Sequence, residues 1–169
     1  MKRLAIHNSG DAAYKKLTVM IFTEGTILGP RRLIDHFNHA RYVPIKNCVA
    51  KISNWDHDGA RIVYLTSGRR ESSAQSIRAL LIKYGFPGSF LYYRSRGERY
   101  KDIVETIKPD ILVEDNCKSI GGRWQMSITY VDEKIKDKIK SVVVNEFQGI
   151  DLLPDRLSEL PDYKPTGGK

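Results

Sequence analysis

Cysteine is scarce in this 169-residue chain, which carries only Cys48 and Cys117. Two thiols cannot build a framework of bridges, so a disulfide-stapled scaffold is excluded and a reducing, cytoplasmic setting is expected. Also absent is any run near the roughly 20 apolar residues that a membrane helix needs. The basic opening Met1-Lys2-Arg3 is followed by only Leu4-Ala5-Ile6 before His7 and Asn8, which is no signal-peptide pattern, and no membrane partner is expected. The chain has no internal repeat, no low-complexity linker, no zinc-finger spacing, no heptads and no aromatic ribonucleoprotein motif. What it does have is ordinary for one globular domain with a buried core: 41% hydrophobic and 28% charged residues. Its formal net charge is +8. Such a surface attracts phosphate, whether on a nucleic acid or on a small anionic ligand.

Periodicity divides the chain. Residues 1–16 show no clear pattern and read as an N-terminal extension: an extra edge element, an arm, or a poorly ordered segment. Residues 17–22 are a continuous apolar run, the mark of a central parallel strand covered on both faces. Residues 27–42, with Gly29-Pro30, Arg31, Arg32, His36, His39 and Arg41, read as an insertion with one short helix over residues 32–39. Pro44 suits the first turn of a helix carrying Ile45, Cys48, Val49, Ile52 and Trp55 inward and stopped at Gly59. A second strand is expected over residues 61–66. Ser72-x-x-Gln75 then resembles a capping box for a helix with Ile77, Leu80, Leu81 and Tyr84 on one face, closed by Gly85. A third strand (89–93), a helix (100–108), a fourth strand (111–114), a polar helix (132–140) and a fifth strand (141–147) follow. Residues 154–169 read as a tail, partly disordered, whose last nine residues fray. Strands alternating with helices over residues 17–153 predict an α/β fold: a Rossmann-like three-layer sandwich around a mostly parallel five-stranded sheet.

Ligands of such sheets bind at the carboxyl ends of the strands, and several chemically capable residues fall there. Glu24 follows the first strand. It is either an exposed turn acid before Gly25 or a metal ligand and acid/base group at the sheet's mouth. Thr66 and Ser67 end the second strand, where small hydroxyls and free backbone amides cradle phosphate or cap the next helix. Lys101 has meaning only through its place in this order. Glu114-Asp115 ends the fourth strand, and two adjacent carboxylates repel unless a hard cation such as Mg²⁺ relieves them or they face a helix N-terminus. Arg31, Arg32, Arg69, Arg70, Arg94, Arg96, Arg99, Lys118 and Arg123 all follow strands and would line one rim. His36-x-x-His39 lacks a clear third ligand. Cys117 reads as a packed thiol, and Trp55, Tyr92 and Tyr93 as core.

This order of residues resembles the haloacid dehalogenase (HAD) superfamily: Rossmann-like hydrolases, mostly Mg²⁺-dependent phosphatases. The family pattern is Asp-x-Asp-Gly-Thr after the first strand, a Thr or Ser after the second, a Lys or Arg, then an acidic pair. Gly25-Thr26 matches the end of the first motif, Thr66 the second, Lys101 the third and Glu114-Asp115 the fourth. Ile62-Val-Tyr-Leu-Thr66 and Lys108-Pro-Asp-Ile-Leu-Val-Glu-Asp115 carry the likeness, which covers residues 17–147. By resemblance, Thr66, Ser67 and Lys101 would bind phosphate, while Asp115, Glu114 and Glu24 would hold Mg²⁺. The short insertion implies little or no cap domain. The departure is at the nucleophile: alignment on Gly-Thr puts Phe22 at the nucleophilic aspartate and Glu24 at the acid/base aspartate. Shifting by one puts Thr23 and Gly25 there. Neither register supplies a nucleophilic carboxylate, so the phosphoaspartyl step cannot run in its usual form. Three readings stay open. One is a binder of a phosphorylated small molecule, nucleotide or other anion. Another is a metal-dependent phosphoester hydrolase with Glu24 as general base and no covalent intermediate. The last is a basic nucleic-acid-associated protein.

Overall fold

A computed structural model describes residues 1–6, 17–35 and 38–164. The apolar runs become strands β2 (Thr18–Phe22), β5 (Arg61–Leu65), β6 (Phe90–Tyr93), β7 (Ile111–Asp115) and β8 (Lys140–Val144), and these five are mutually parallel. β1 (Lys2–Ala5) pairs antiparallel with β6, so the sheet has six strands rather than the expected five, in the order β1-β6-β5-β2-β7-β8. Part of the N-terminal segment is thus a sheet edge, and residues 7–16 lie outside the described residues.

Alternation along the strands builds two cores, because successive side chains point to opposite faces. Val19, Ile21, Ile62, Tyr64 and Leu91 face α1 (Cys48–His57) and α2 (Glu71–Lys83), where they meet Ile52, Trp55, Ile77 and Leu81. Met20, Val63, Leu65 and Leu112 face α3 (Tyr100–Ile107), where they meet Ile103 and Val104. The result is an α/β, Rossmann-like sandwich with helices on both faces of a mostly parallel sheet. Trp55, Tyr92 and Tyr93 are core residues, as their sequence context suggests.

Four details differ from the periodicity reading. The insertion is a hairpin, β3 (Leu28–Pro30) against β4 (Tyr42–Pro44), with single 3-10 turns at Leu33–Asp35 and His39–Arg41 in place of a helix. The buried Asp35 carboxylate accepts from Arg41 Nη1 at 3.1 Å and pins the loop. Pro44 therefore lies in a strand, where an edge position demands no ladder donor, and Lys46 at φ +53° turns the chain before α1 begins. Ser72 does not cap α2, whose N-cap is Arg70 with no side-chain hydrogen bond. The polar helix shrinks to one turn, α4 (Glu133–Lys136), because Lys140 N already bonds Asp110 O at 2.8 Å and draws the chain into β8.

The segment from Pro154 is anchored to the core at two positions. Leu157 and Leu160 are buried in the α1 and α2 core. The Trp55 indole donates to Pro154 O at 3.0 Å, and the buried Lys51 ammonium donates to Leu153 O and to the Asp155 carboxylate, both at 2.6 Å. Residues 165–169 lie outside the described residues. No described helix is long and apolar enough to cross a membrane.

Candidate functional site at the mouth of the sheet

The carboxyl ends of β2, β5 and β7 come together because β2 pairs with both neighbours in parallel register, Phe22 opposite Leu65 and Ile21 opposite Val113. After Phe22 the chain turns at once: Ile27 N and Leu28 N both bond Thr23 O, and Gly25 N bonds Leu28 O. Gly25 holds φ +81°, and a Cβ there would lie 2.6 Å from Asp115 Oδ2. Glycine is needed at this point both for its backbone and for the close approach of β7.

Glu24 does not project into solvent as a turn acid would. Its side chain is 9% exposed and its carboxylate lies in a ring of donors. Oε1 accepts from the Thr66 hydroxyl at 2.6 Å and the Ser67 hydroxyl at 2.9 Å. Oε2 accepts from the Thr23 hydroxyl at 2.5 Å and Ser67 N at 3.1 Å. Thr66 Oγ1 in turn accepts from Gly68 N at 3.1 Å. A carboxylate offers about four lone-pair sites, and all four are filled from within the chain. His39 Nδ1 stands 3.7 Å from Oε1. The hydroxyls and amide expected to cradle a phosphate thus hold the chain's own carboxylate.

The acidic pair divides. Asp115 lines the same mouth cavity as Glu24, and accepts from Thr26 Oγ1 at 3.1 Å and from Cys117 N at 2.8 Å. Burial pushes its carboxyl pKa up; those two donors pull it down, and the charge of Glu146 adds to the rise. Glu114 turns to the opposite face, where Ser127 N donates to Oε2 at 2.7 Å and Ile128 N to Oε1 at 3.1 Å. It clasps the loop after β7, and burial pushes its carboxyl up to about 7 against those amides. Cys117 has its thiol pushed far up by burial and by Asp115 and Glu114, which leaves no thiolate nucleophile.

The three carboxylates nominated for Mg²⁺ do not face one point. Of the three nominated ligands, Glu114 faces away, Glu24 is saturated, and Asp115 already takes two donors. Among the described residues no group of three His, Cys, Asp or Glu side chains is arranged to hold a metal. His36 lies outside the described residues, so its pairing with His39 does too.

Lys101 does not join Thr66 and Ser67. Its ammonium bonds Glu105 Oε1 at 3.0 Å and sits 3.7 Å from Asp102. It lines a second cavity of about 180 Å³ beside the mouth cavity of about 370 Å³, and both are bounded by Arg69 and Tyr100. Tyr100 is the partition: its hydroxyl donates to Ser67 O at 3.1 Å, its ring meets Phe22 edge-on at 5.3 Å, and the Arg94 guanidinium lies 3.9 Å over it. The periodicity reading missed Tyr100, Trp124, Tyr130 and Glu146 as cavity residues. The sequence signal for Tyr100 and Trp124 is an aromatic next to an arginine in a segment after a strand, whereas Tyr130 carries no such signal.

No family model matches the chain, and no curated protein matches it. Among solved structures, a chain of the "Structure of the Pnkp1/Rnl/Hen1 RNA repair complex" is similar, with a TM-score of 0.50 and 14% identity over 80% of this chain and 45% of that one. At that identity the likeness concerns the fold alone. The present chain spans less than half the length of that neighbour.

Proposed function

We propose that this is a HAD-like protein, with a hairpin in place of a cap domain, that binds a phosphorylated or otherwise anionic ligand at the carboxyl ends of its strands and lacks phosphoaspartyl chemistry. The observation that carries the reading is the charge pattern of the mouth. Arg69, Arg94 and Arg99 surround its cavities, and none forms an ion pair with an acidic side chain among the described residues. Cations gathered round a concave site without internal partners favour an anion from outside. The family assignment is supported by the central strand β2, the turn Glu24-Gly25-Thr26 beyond it, Thr66 beyond β5 and Asp115 ending β7. The absence of phosphoaspartyl chemistry is supported by Phe22, whose ring meets Tyr100 edge-on where a nucleophile would stand.

A general-base role for Glu24 is less well supported, since an oxygen that already accepts two hydrogens has no free lone pair for a water. A cytoplasmic setting agrees with two free cysteines, one of them buried beside Ile27 O.

The test is phosphate release from a panel of phosphomonoesters and nucleotides, with and without Mg²⁺, for the wild type, E24Q and D115N, with melting temperature measured for the same mixtures. No turnover above the protein-free rate is expected, together with a rise in Tm that grows with ligand concentration. Mg²⁺-dependent turnover lost in both variants would overturn this reading in favour of the hydrolase. A flat Tm across the whole panel would sink the binding role.

A further inference from the structure

The smaller cavity is chemically distinct from the mouth. Arg94 enters it from the end of β6, Arg99 and Lys101 from the start of α3, and Trp124, Gln125 and Tyr130 from the 3-10 segments after β7. Trp124 is 57% exposed and Tyr130 51% exposed. Large aromatics left that open beside unpaired arginines are unusual, because each would bury 150–250 Å² if packed. The Arg123 guanidinium sits 4.7 Å over the Trp124 ring, so one face of the indole is backed by a cation. Gln125 brings an amide with both donor and acceptor character to the same wall.

Arg94 adds an independent sign. Its Nε is buried and has no hydrogen-bond partner in the protein. A buried donor without a partner carries a desolvation cost, and in a native chain it calls for an explanation such as a bound anion. The Tyr100 ring centroid lies 3.9 Å from the guanidinium carbon, and the same arginine lines the cavity. Lys101 is a poor candidate for the same task, since Glu105 and Asp102 already occupy its ammonium.

Resting on the anionic-ligand reading above, we propose that this cavity binds a nucleoside phosphate: the base against Trp124 and Tyr130, the phosphate on Arg94 and Arg99 with Arg69 between the two cavities. A π-face backed by a cation, as on Trp124, suits any base, a bidentate guanidinium suits a phosphate, and the Gln125 amide can bond a base edge. A volume of about 180 Å³ accepts one base with its phosphate projecting to the rim, not a long chain. Free nucleotides and the terminal nucleotide of a single strand present the same chemistry.

Of the two tryptophans, Trp55 is fully buried and Trp124 is not, so ligand-dependent quenching reports this cavity. Tryptophan emission is followed while AMP, adenosine, ribose 5-phosphate, phenyl phosphate, inorganic phosphate and a 5′-phosphorylated single-stranded oligonucleotide are titrated in turn. AMP is expected to quench and to bind about tenfold or more tightly than adenosine or ribose 5-phosphate, the ratio that one stacked base and one charged contact each supply. W124F should abolish the quench, and W124A and R99Q should each weaken AMP binding, read by calorimetry, by about tenfold at unchanged Tm without ligand. Equal affinity for AMP and the oligonucleotide identifies the free nucleotide as the source. Oligonucleotide binding that is far tighter and steeply salt-dependent identifies the strand. Ribose 5-phosphate or phenyl phosphate binding as tightly as AMP would overturn the nucleoside assignment while the anionic-ligand reading survives. Failure of every phosphate compound to bind would overturn both.

Discussion

Two halves of one mouth handle charge in opposite ways. Around Glu24, four donors from Thr23, Thr66 and Ser67 converge on one carboxylate, and every strong polar group has its partner inside the chain. A few ångströms across Tyr100, Arg94 has an orphaned Nε, Arg99 has no ion pair among the described residues, and Trp124 lies open. The contrast teaches where a ligand is to be sought. Polar groups that satisfy one another are structure, whereas cations and aromatics that the fold leaves open are available to a partner. The side of the mouth that looks most like a phosphate site in sequence is the side already filled.

The comparison can be broken most forcefully at Glu24. E24A leaves the Thr23, Thr66 and Ser67 donors without their acceptor and should destabilise the protein by about 3 kcal/mol. It should also convert the cradle into an external anion site, so that millimolar phosphate or sulfate raises the variant's Tm but barely moves the wild type. If added anion restores nothing in E24A, the cradle is ordinary internal bonding. Next in size is G25A: a Cβ 2.6 Å from Asp115 Oδ2, at φ +81°, should cost about 2 kcal/mol in urea unfolding and disturb the Asp115 end of the mouth. A G25A protein as stable as wild type would mean that the close approach relaxes without strain.

The third prediction concerns pH. The Glu114 carboxyl is raised from 4.5 to about 7 by burial, and that of Asp115 is raised as well. For a carboxyl raised in the folded state, the contribution to stability is full below the unfolded value and is lost as pH climbs through the folded one. Stability should therefore fall by roughly 1–3 kcal/mol between pH 5 and pH 8 through these groups, and E114Q should flatten the profile of urea midpoint against pH. A wild-type profile that rises over that window would contradict the burial argument. The smallest effect is expected at Lys101. Its ion pairs with Glu105 and Asp102 lie near the surface, so K101A should change stability by less than about 1 kcal/mol. If K101A instead abolished binding of phosphate compounds, the role assigned to it by resemblance would be restored and the division between the two cavities would fail.

Much of this was legible before the fold was known. Apolar runs at residues 17–22, 61–66 and 111–114 marked the three central strands because continuous burial on both faces leaves no polar positions. Glu24, Thr66, Ser67 and Asp115 were identifiable as strand-end residues and do converge. Less legible was Glu114, although the alternation of a strand already implies that two adjacent acids point apart. The hairpin after β2 escaped detection because its strands are three residues each and carry two prolines, too short for periodicity to register. The expected tail proved to hold Leu157 and Leu160 in the core, apolar positions whose 3-10 spacing gives no helix signal.

By itself, then, the chain determined which segments are strands, the order in which chemically capable residues arrive at their ends, and the excess of positive charge. Local composition and period suffice for these, because burial acts on each segment through its own side chains. Tertiary structure alone decided which donors hold each carboxylate. Glu24 is turned inward by Thr66 and Ser67, 42 and 43 residues away, and Glu114 is turned aside by Ser127 and Ile128, 13 and 14 residues away. A charged group at a strand end follows whichever donors the fold brings within about 3 Å, and no stretch of sequence around it records which those are.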